Sequence, residues 1–89
     1  MSMTVILDAQ KMTDRASAHD YLSVQLQLPP YYGRNLDALY DVLTERAEPM
    51  QIRLENAGLL SEYLGRYGQS LCKTLTDAAA ENPNLTVEY

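Results

Sequence analysis

Apolar and polar positions alternate with a period of two in two short stretches of the chain, a third short stretch is apolar and β-branched, and between them apolar positions recur at intervals of three and four. Met3-Thr4-Val5-Ile6-Leu7-Asp8 is short, β-branched and apolar, and Asp8 ends it. Met50-Gln51-Ile52-Arg53-Leu54 alternates cleanly, as does Leu85-Thr86-Val87-Glu88-Tyr89. Strands are therefore expected at 4–8, 50–54 and 85–88. Thr13 or Asp14 can cap a helix whose stripe is Ala18, Tyr21, Leu22, Gln25 and Leu26, and Pro29 stops it. Leu36, Leu39, Tyr40 and Leu43 recur at i, i+3, i+4, i+7 and predict a second helix. Asn35 can cap it, with Gly33 and Arg34 as other starting points, and it ends before Pro49. Residues 55–81 read as helix in two pieces. Leu59, Leu60, Tyr63 and Leu64 mark the first; Leu71, Cys72, Leu75, Ala78 and Ala79 mark the second. Gly65 or Gly68 breaks them, and Asn82-Pro83-Asn84 forms a turn.

The order is thus β-α-α-β-α-α-β. Each pair of strands is joined by helical sequence long enough for a right-handed parallel crossover. Strands buried on both faces would read as unbroken apolar runs, whereas the last two strands alternate. The expectation is an α/β, two-layer domain: a small parallel sheet with most helices on one face and a largely wet opposite face. Eighty-nine residues make a single domain, 1–89, with no room for a second core.

Charge narrows the partners. The net charge of −5 argues against nucleic acid as a direct ligand, because backbone binding needs clustered Lys and Arg. It suits a basic protein, whose encounter a negative surface would speed. One cysteine and one histidine cannot build a structural zinc site, and no cofactor is expected. Cys72 lies on an apolar stripe and reads as packing; His19 reads as an ordinary surface or boundary residue without a role. A lone cysteine, no apolar run near the ~20 residues of a membrane span and no signal-peptide core at the N-terminus point to the cytoplasm.

The chemistry concentrates between residues 28 and 44. Pro29 and Pro30 stiffen a loop that carries Tyr31 and Tyr32, and Gly33 is expected to supply freedom for a sharp turn. In the following helix Asp37 and Asp41 stand together at i, i+4, a spacing that is locally unfavourable for like charges. Aromatics beside charges, held in place before a partner arrives, are the ingredients of a binding hot spot.

This stretch reads Leu28-Pro29-Pro30-Tyr31-Tyr32-Gly33-Arg34-Asn35-Leu36-Asp37-Ala38-Leu39-Tyr40-Asp41-Val42-Leu43-Thr44. It resembles the signature of the barstar family, intracellular inhibitors of barnase-type ribonucleases. The resemblance implies a barstar-like fold: a three-stranded parallel sheet in the order 1-2-3 with about four helices. It also implies a 1:1 complex of a monomer with a basic ribonuclease. By the family pattern Asp37 and Asp41 would meet the enzyme's cationic active site, with Asp41 central. Tyr31 would pack on the catalytic region, and Tyr32, Gly33, Asn35 and Leu36 would frame the contact. Tyr40 stands where the family has Trp, and Thr44 closes the signature. Asp77 stands where the family has a longer Glu on the last helix. Arg34 replaces an acidic residue, so a cation stands beside the acidic pair, able to join Asp37 or Asp41 or to retune partner choice. A barstar-like module for a different basic nuclease is the alternative.

An enzyme fits less well. Acid/base work needs a carboxylate perturbed by burial or a close neighbour, and no nucleophile is evident beside His19.

Overall fold

The computed structural model describes residues 3–89. Strand β1 (Met3–Asp8) lies parallel to β2 (Met50–Glu55), Met3 opposite Met50 and Asp8 opposite Glu55. Strand β3 (Leu85–Glu88) is parallel to the other edge of β2, with Met50 opposite Leu85. The sheet order is β1-β2-β3, as the family resemblance implied. The alternation in sequence is the alternation in space. Val5, Leu7, Met50, Ile52, Leu54 and Leu85 are buried, while Thr4, Arg53, Thr86 and Glu88 face out. On that outer face Arg53 and Glu88 approach to 3.8 Å across neighbouring strands, an exposed pair of small energetic weight.

Four α-helices follow in the expected places: α1 (Arg15–Gln25), α2 (Leu36–Glu45), α3 (Gly58–Leu64) and α4 (Arg66–Glu81). Asp14 caps α1, its carboxylate accepting from the Ser17 amide at 2.8 Å; Asn35 caps α2 by accepting from the Ala38 amide at 2.8 Å. A 3₁₀ turn at Ala9–Lys11, absent from the sequence expectation, follows β1. It forms because Asp8 accepts from the Gln10 amide at 3.0 Å, and the same carboxylate takes Asn56 at 3.0 Å from the end of β2. Those bonds hold the Asp8 carboxyl below the usual carboxylate range.

The core lies between the sheet and the helices, where Leu22, Leu26, Leu39, Leu43, Leu71 and Leu75 meet Leu7, Ile52 and Leu54. Cys72 is partly buried at its edge, and burial pushes its thiol up, in keeping with packing rather than reactivity. The two candidate break points in the C-terminal helical region have different roles. Gly65 takes φ 60° and ends α3. Gly68 lies inside α4, where a β-carbon would stand 2.1 Å from the Leu60 carbonyl oxygen of α3. The helices touch backbone to backbone there.

Gly68→Ala should therefore lose about 1–3 kcal/mol or more by forcing α3 and α4 apart. Gly58→Ala, with nothing within 4 Å of the new methyl, should be close to neutral. Urea denaturation of both variants checks this; equal midpoints would refute the close-approach account.

Candidate functional site

The loop between α1 and α2 is held in a form that its residues would not choose alone. Gln27 and Arg34, near its two ends, take φ of 53° and 57°, left-handed values that non-glycine residues rarely adopt. Between them Pro29 and Pro30 lead into a turn closed by the Tyr32 amide on the Pro29 carbonyl at 3.0 Å. That turn sends neighbouring aromatics in opposite directions. Tyr31 is 84% exposed, whereas Tyr32 is 7% exposed and belongs to the core. Gly33 does not use the left-handed region. What it provides is space, since a β-carbon would sit 3.3 Å from both the Ala38 methyl and the Asn35 amide.

His19, expected at the surface or its boundary, is buried at 3% exposure. Its Nδ1 lies 2.7 Å from the Tyr32 hydroxyl and its Nε2 lies 2.6 Å from the Tyr67 hydroxyl on α4. Both ring nitrogens are therefore partnered, the condition under which an imidazole can be buried. The signal was present: His19, Leu22 and Leu26 recur at intervals of three and four on the buried face of α1. Burial, then the Arg34 guanidinium, holds the imidazole below its ordinary value. Burial also pushes the Tyr32 phenol up to about 12.

Arg34 joins neither Asp37 nor Asp41. It turns back to α1, meeting Asp20 at 2.5 Å and the Ala16 carbonyl at 3.3 Å. The cation is thus matched on α1, and the acidic face of α2 keeps its charge.

Tyr31 and Tyr32 on the loop and Asp41 on α2 line one open groove of about 560 Å³. Glu45, one turn beyond Asp41, lines it too and was missed by the sequence reading, although i, i+4 spacing from Asp41 could have found it. Arg46 closes the end, with its guanidinium donating to the Leu26 carbonyl at 3.2 Å. Asp37 is exposed in the first turn of α2, where the helix dipole favours a carboxylate, but it does not line the groove. Among the described residues neither Asp37 nor Asp41 has an ion-pair partner.

The remaining candidates form a periphery. Leu36 is half-buried against the core, and Asn35 is occupied in capping. Thr44 donates back to the Tyr40 and Asp41 carbonyls at 2.9 and 3.1 Å. Tyr40 is half-buried; its phenol is pushed up by burial and then by Glu81, Asp77 and Asp41. Asp77 is held by Lys73 of the same helix at 3.0 Å. The described residues contain no group of three or more His, Cys, Asp or Glu side chains able to hold a metal ion.

Comparison with known proteins matches residues 2–89 to the family model described as Barstar (barnase inhibitor). The chain is also 35% identical over 78 residues to the Bacillus subtilis (strain 168) protein named Putative ribonuclease inhibitor YrdF, covering 86% of each.

Two outcomes are expected for the buried imidazole. Tyr67→Phe leaves one ring nitrogen without a partner and should destabilise the fold by ~1–3 kcal/mol. Because the folded state holds His19 below its unfolded value of ~6.5, the unfolded chain binds more protons between those two values. The contribution is thus complete above ~6.5 and is lost as pH falls through that window. Urea melts from neutral to mildly acidic pH, in which stability fails to drop across this range, would contradict it.

Proposed function

The chain belongs to the Barstar family, and on that premise we propose that it inhibits a basic ribonuclease of the barnase type by covering the enzyme's cationic active site. The observation that carries the reading is the groove lined by exposed Tyr31 and by Asp41, which has no ion-pair partner among the described residues, on the acidic ridge of α2. A ribonuclease grips a phosphodiester with cationic groups, and such groups accept a well-placed carboxylate in place of a phosphate oxygen. Asp37, Asp41 and Glu45 follow one ridge at successive helical turns, so a rigid element presents three negative charges at fixed spacing. Tyr31 supplies a large contact area with few torsions to freeze.

Buried Tyr32 and half-buried Leu36 shape the surface from beneath, and exposed Gly33 frames it with Asn35, while Tyr31, Asp37 and Asp41 meet the partner; Tyr40, Thr44 and Asp77 form the far rim. The complex is a 1:1 pair formed in the cytoplasm of the cell that makes the enzyme, without metal or turnover. A second reading, a barstar-like binder of a different basic nuclease, is favoured by two features. Arg34 is withdrawn onto Asp20, and Asp77 is engaged by Lys73. Both positions then contribute less negative charge to the contact than the α2 ridge does.

Titration of barnase, the enzyme named in the family's description, should abolish RNA cleavage at one equivalent, and a chelator should not restore it. Asp41→Ala should weaken binding most, by ~2–5 kcal/mol, because the enzyme's charge is left buried and unmatched. Asp37→Ala and Tyr31→Ala should follow, with Asp77→Ala smaller. Calorimetry showing a near-neutral Asp41→Ala with an intact fold would remove the assignment.

Association should also slow steeply with salt, because steering acts over a Debye length of ~10 Å at about 0.1 M, while dissociation responds less. Stopped-flow mixing across a salt series tests this, and an association rate indifferent to salt would count against the acidic ridge.

A further inference from the structure

The recognition loop hangs from α1 by two clasps on consecutive residues. His19 holds Tyr32 at 2.7 Å, and Asp20 holds Arg34 at 2.5 Å. Left-handed backbone at Gln27 and Arg34 means the loop is kept against its own preference, so tertiary contacts hold it there, and these two clasps join the burial of Tyr32 in doing so. The two differ in kind. The Arg34–Asp20 pair is largely exposed, whereas the His19 node is buried and continues through Tyr67 into α4.

A neutral imidazole has one N–H and one bare nitrogen. Flanked by two phenols, it donates to one hydroxyl and accepts from the other. An imidazolium donates at both nitrogens, so the phenol that was donating loses its acceptor and must reorient. The added charge would meet few counter-charges. From α1 the nearby charged groups are Arg15, whose guanidinium lies 4.1 Å above the Tyr67 ring, and Asp20, already engaged by Arg34. From the loop come the Tyr32 phenol and Arg34; from α4 comes the Tyr67 phenol.

We propose that His19 is the positioning residue of the recognition loop, and that its protonation frees Tyr32 and with it Tyr31, so that the grip on the partner is acid-labile. The binding half of this inference rests on the ribonuclease-inhibitor reading; the loop half stands without it. Tyr31 is one residue from the clasp and lines the groove with Tyr32, so a change in the Tyr32 hydrogen bond alters the groove wall directly.

The test uses the full chain and two separate readouts. The first needs no partner: NMR follows the His19 ring between about pH 8 and pH 5, alongside hydrogen-exchange protection of the amides of residues 31–35 and of β2. Loop protection should fall about tenfold relative to β2, with the midpoint of the ring titration. In His19→Gln, whose amide donates and accepts without titrating, that pH dependence should vanish. Tyr67→Phe should move the ring titration and the loop transition together, and serves if His19→Gln does not fold. The second readout is the dissociation rate of the barnase complex, which should rise about tenfold with the same midpoint.

A ring that stays neutral throughout, loop protection that ignores the ring's titration, or a pH dependence retained in His19→Gln would overturn the proposal. If barnase is not bound at any pH, the barnase-type inhibitor reading fails, and the exchange arm still decides whether His19 positions the loop.

Discussion

Helix α2 has to end without a glycine, and the group that lets it do so comes from the far end of the chain. The buried Asn82 amide donates to the Leu43 and Arg46 carbonyls, both at 2.9 Å, while its oxygen accepts from the Asn84 amide at 2.9 Å. Asn84 in turn donates to the Ala47 carbonyl at 3.0 Å and receives the Met50 amide at 2.8 Å. The turn before β3 is thereby laced to the connection between α2 and β2. Carbonyls at a helix end that find neither water nor a partner are costly, so one side chain satisfying two of them fixes where the helix stops. It also fixes how α2 lies over the sheet, because the same turn begins the strand that borders β2.

The lower end of the site is tied in this way, and the upper end is tied by α1. Between them the groove is a property of packing rather than of the loop alone: Tyr32 and Leu36 are rooted in the core, and Arg46 is drawn onto the Leu26 carbonyl. A surface assembled so has little conformational freedom left to lose on meeting a partner. Its acidity is similarly arranged. Arg34 and Lys73 are engaged by Asp20 and Asp77, and Arg46, which shares the groove with Asp41 and Glu45, is turned onto the Leu26 carbonyl, so that among the described residues Asp37, Asp41 and Glu45 form no ion pair.

The parts of this molecule that sequence periodicity reveals are those governed by neighbours along the chain. Alternation at 50–54 and 85–88 reports which face of the sheet is buried, and the stripe of Leu36, Leu39 and Leu43 reports how α2 sits. Asp14 and Asn35 are legible as caps because their hydrogen bonds reach only three residues ahead. The signature from Leu28 to Thr44 made the family legible, and with it the neighbourhood of the site. What stays hidden are bonds between residues far apart: His19 with Tyr67, Asn82 with Leu43, and Arg34 with Asp20 in place of the nearer Asp37. His19 shows how a polar residue on an apolar stripe is misjudged, since its burial depends on two phenols that no local pattern announces. Gly68 is similar, because the need for glycine arises from the Leu60 carbonyl of another helix.

No strand here pairs with a strand close to it in sequence: Met3 meets Met50, and Met50 meets Leu85. Closing such distant pairs before any of them is rewarded makes for slower folding than a helical bundle of equal length would show. During synthesis β2 keeps one edge open until residues 85–88 arrive, and α2 keeps its last carbonyls unmatched until Asn82 arrives. The lower end of the groove is therefore finished only once residues 82–88 have been made. For a ribonuclease inhibitor, the interval between translation and competence then depends on when those distant strand pairs close.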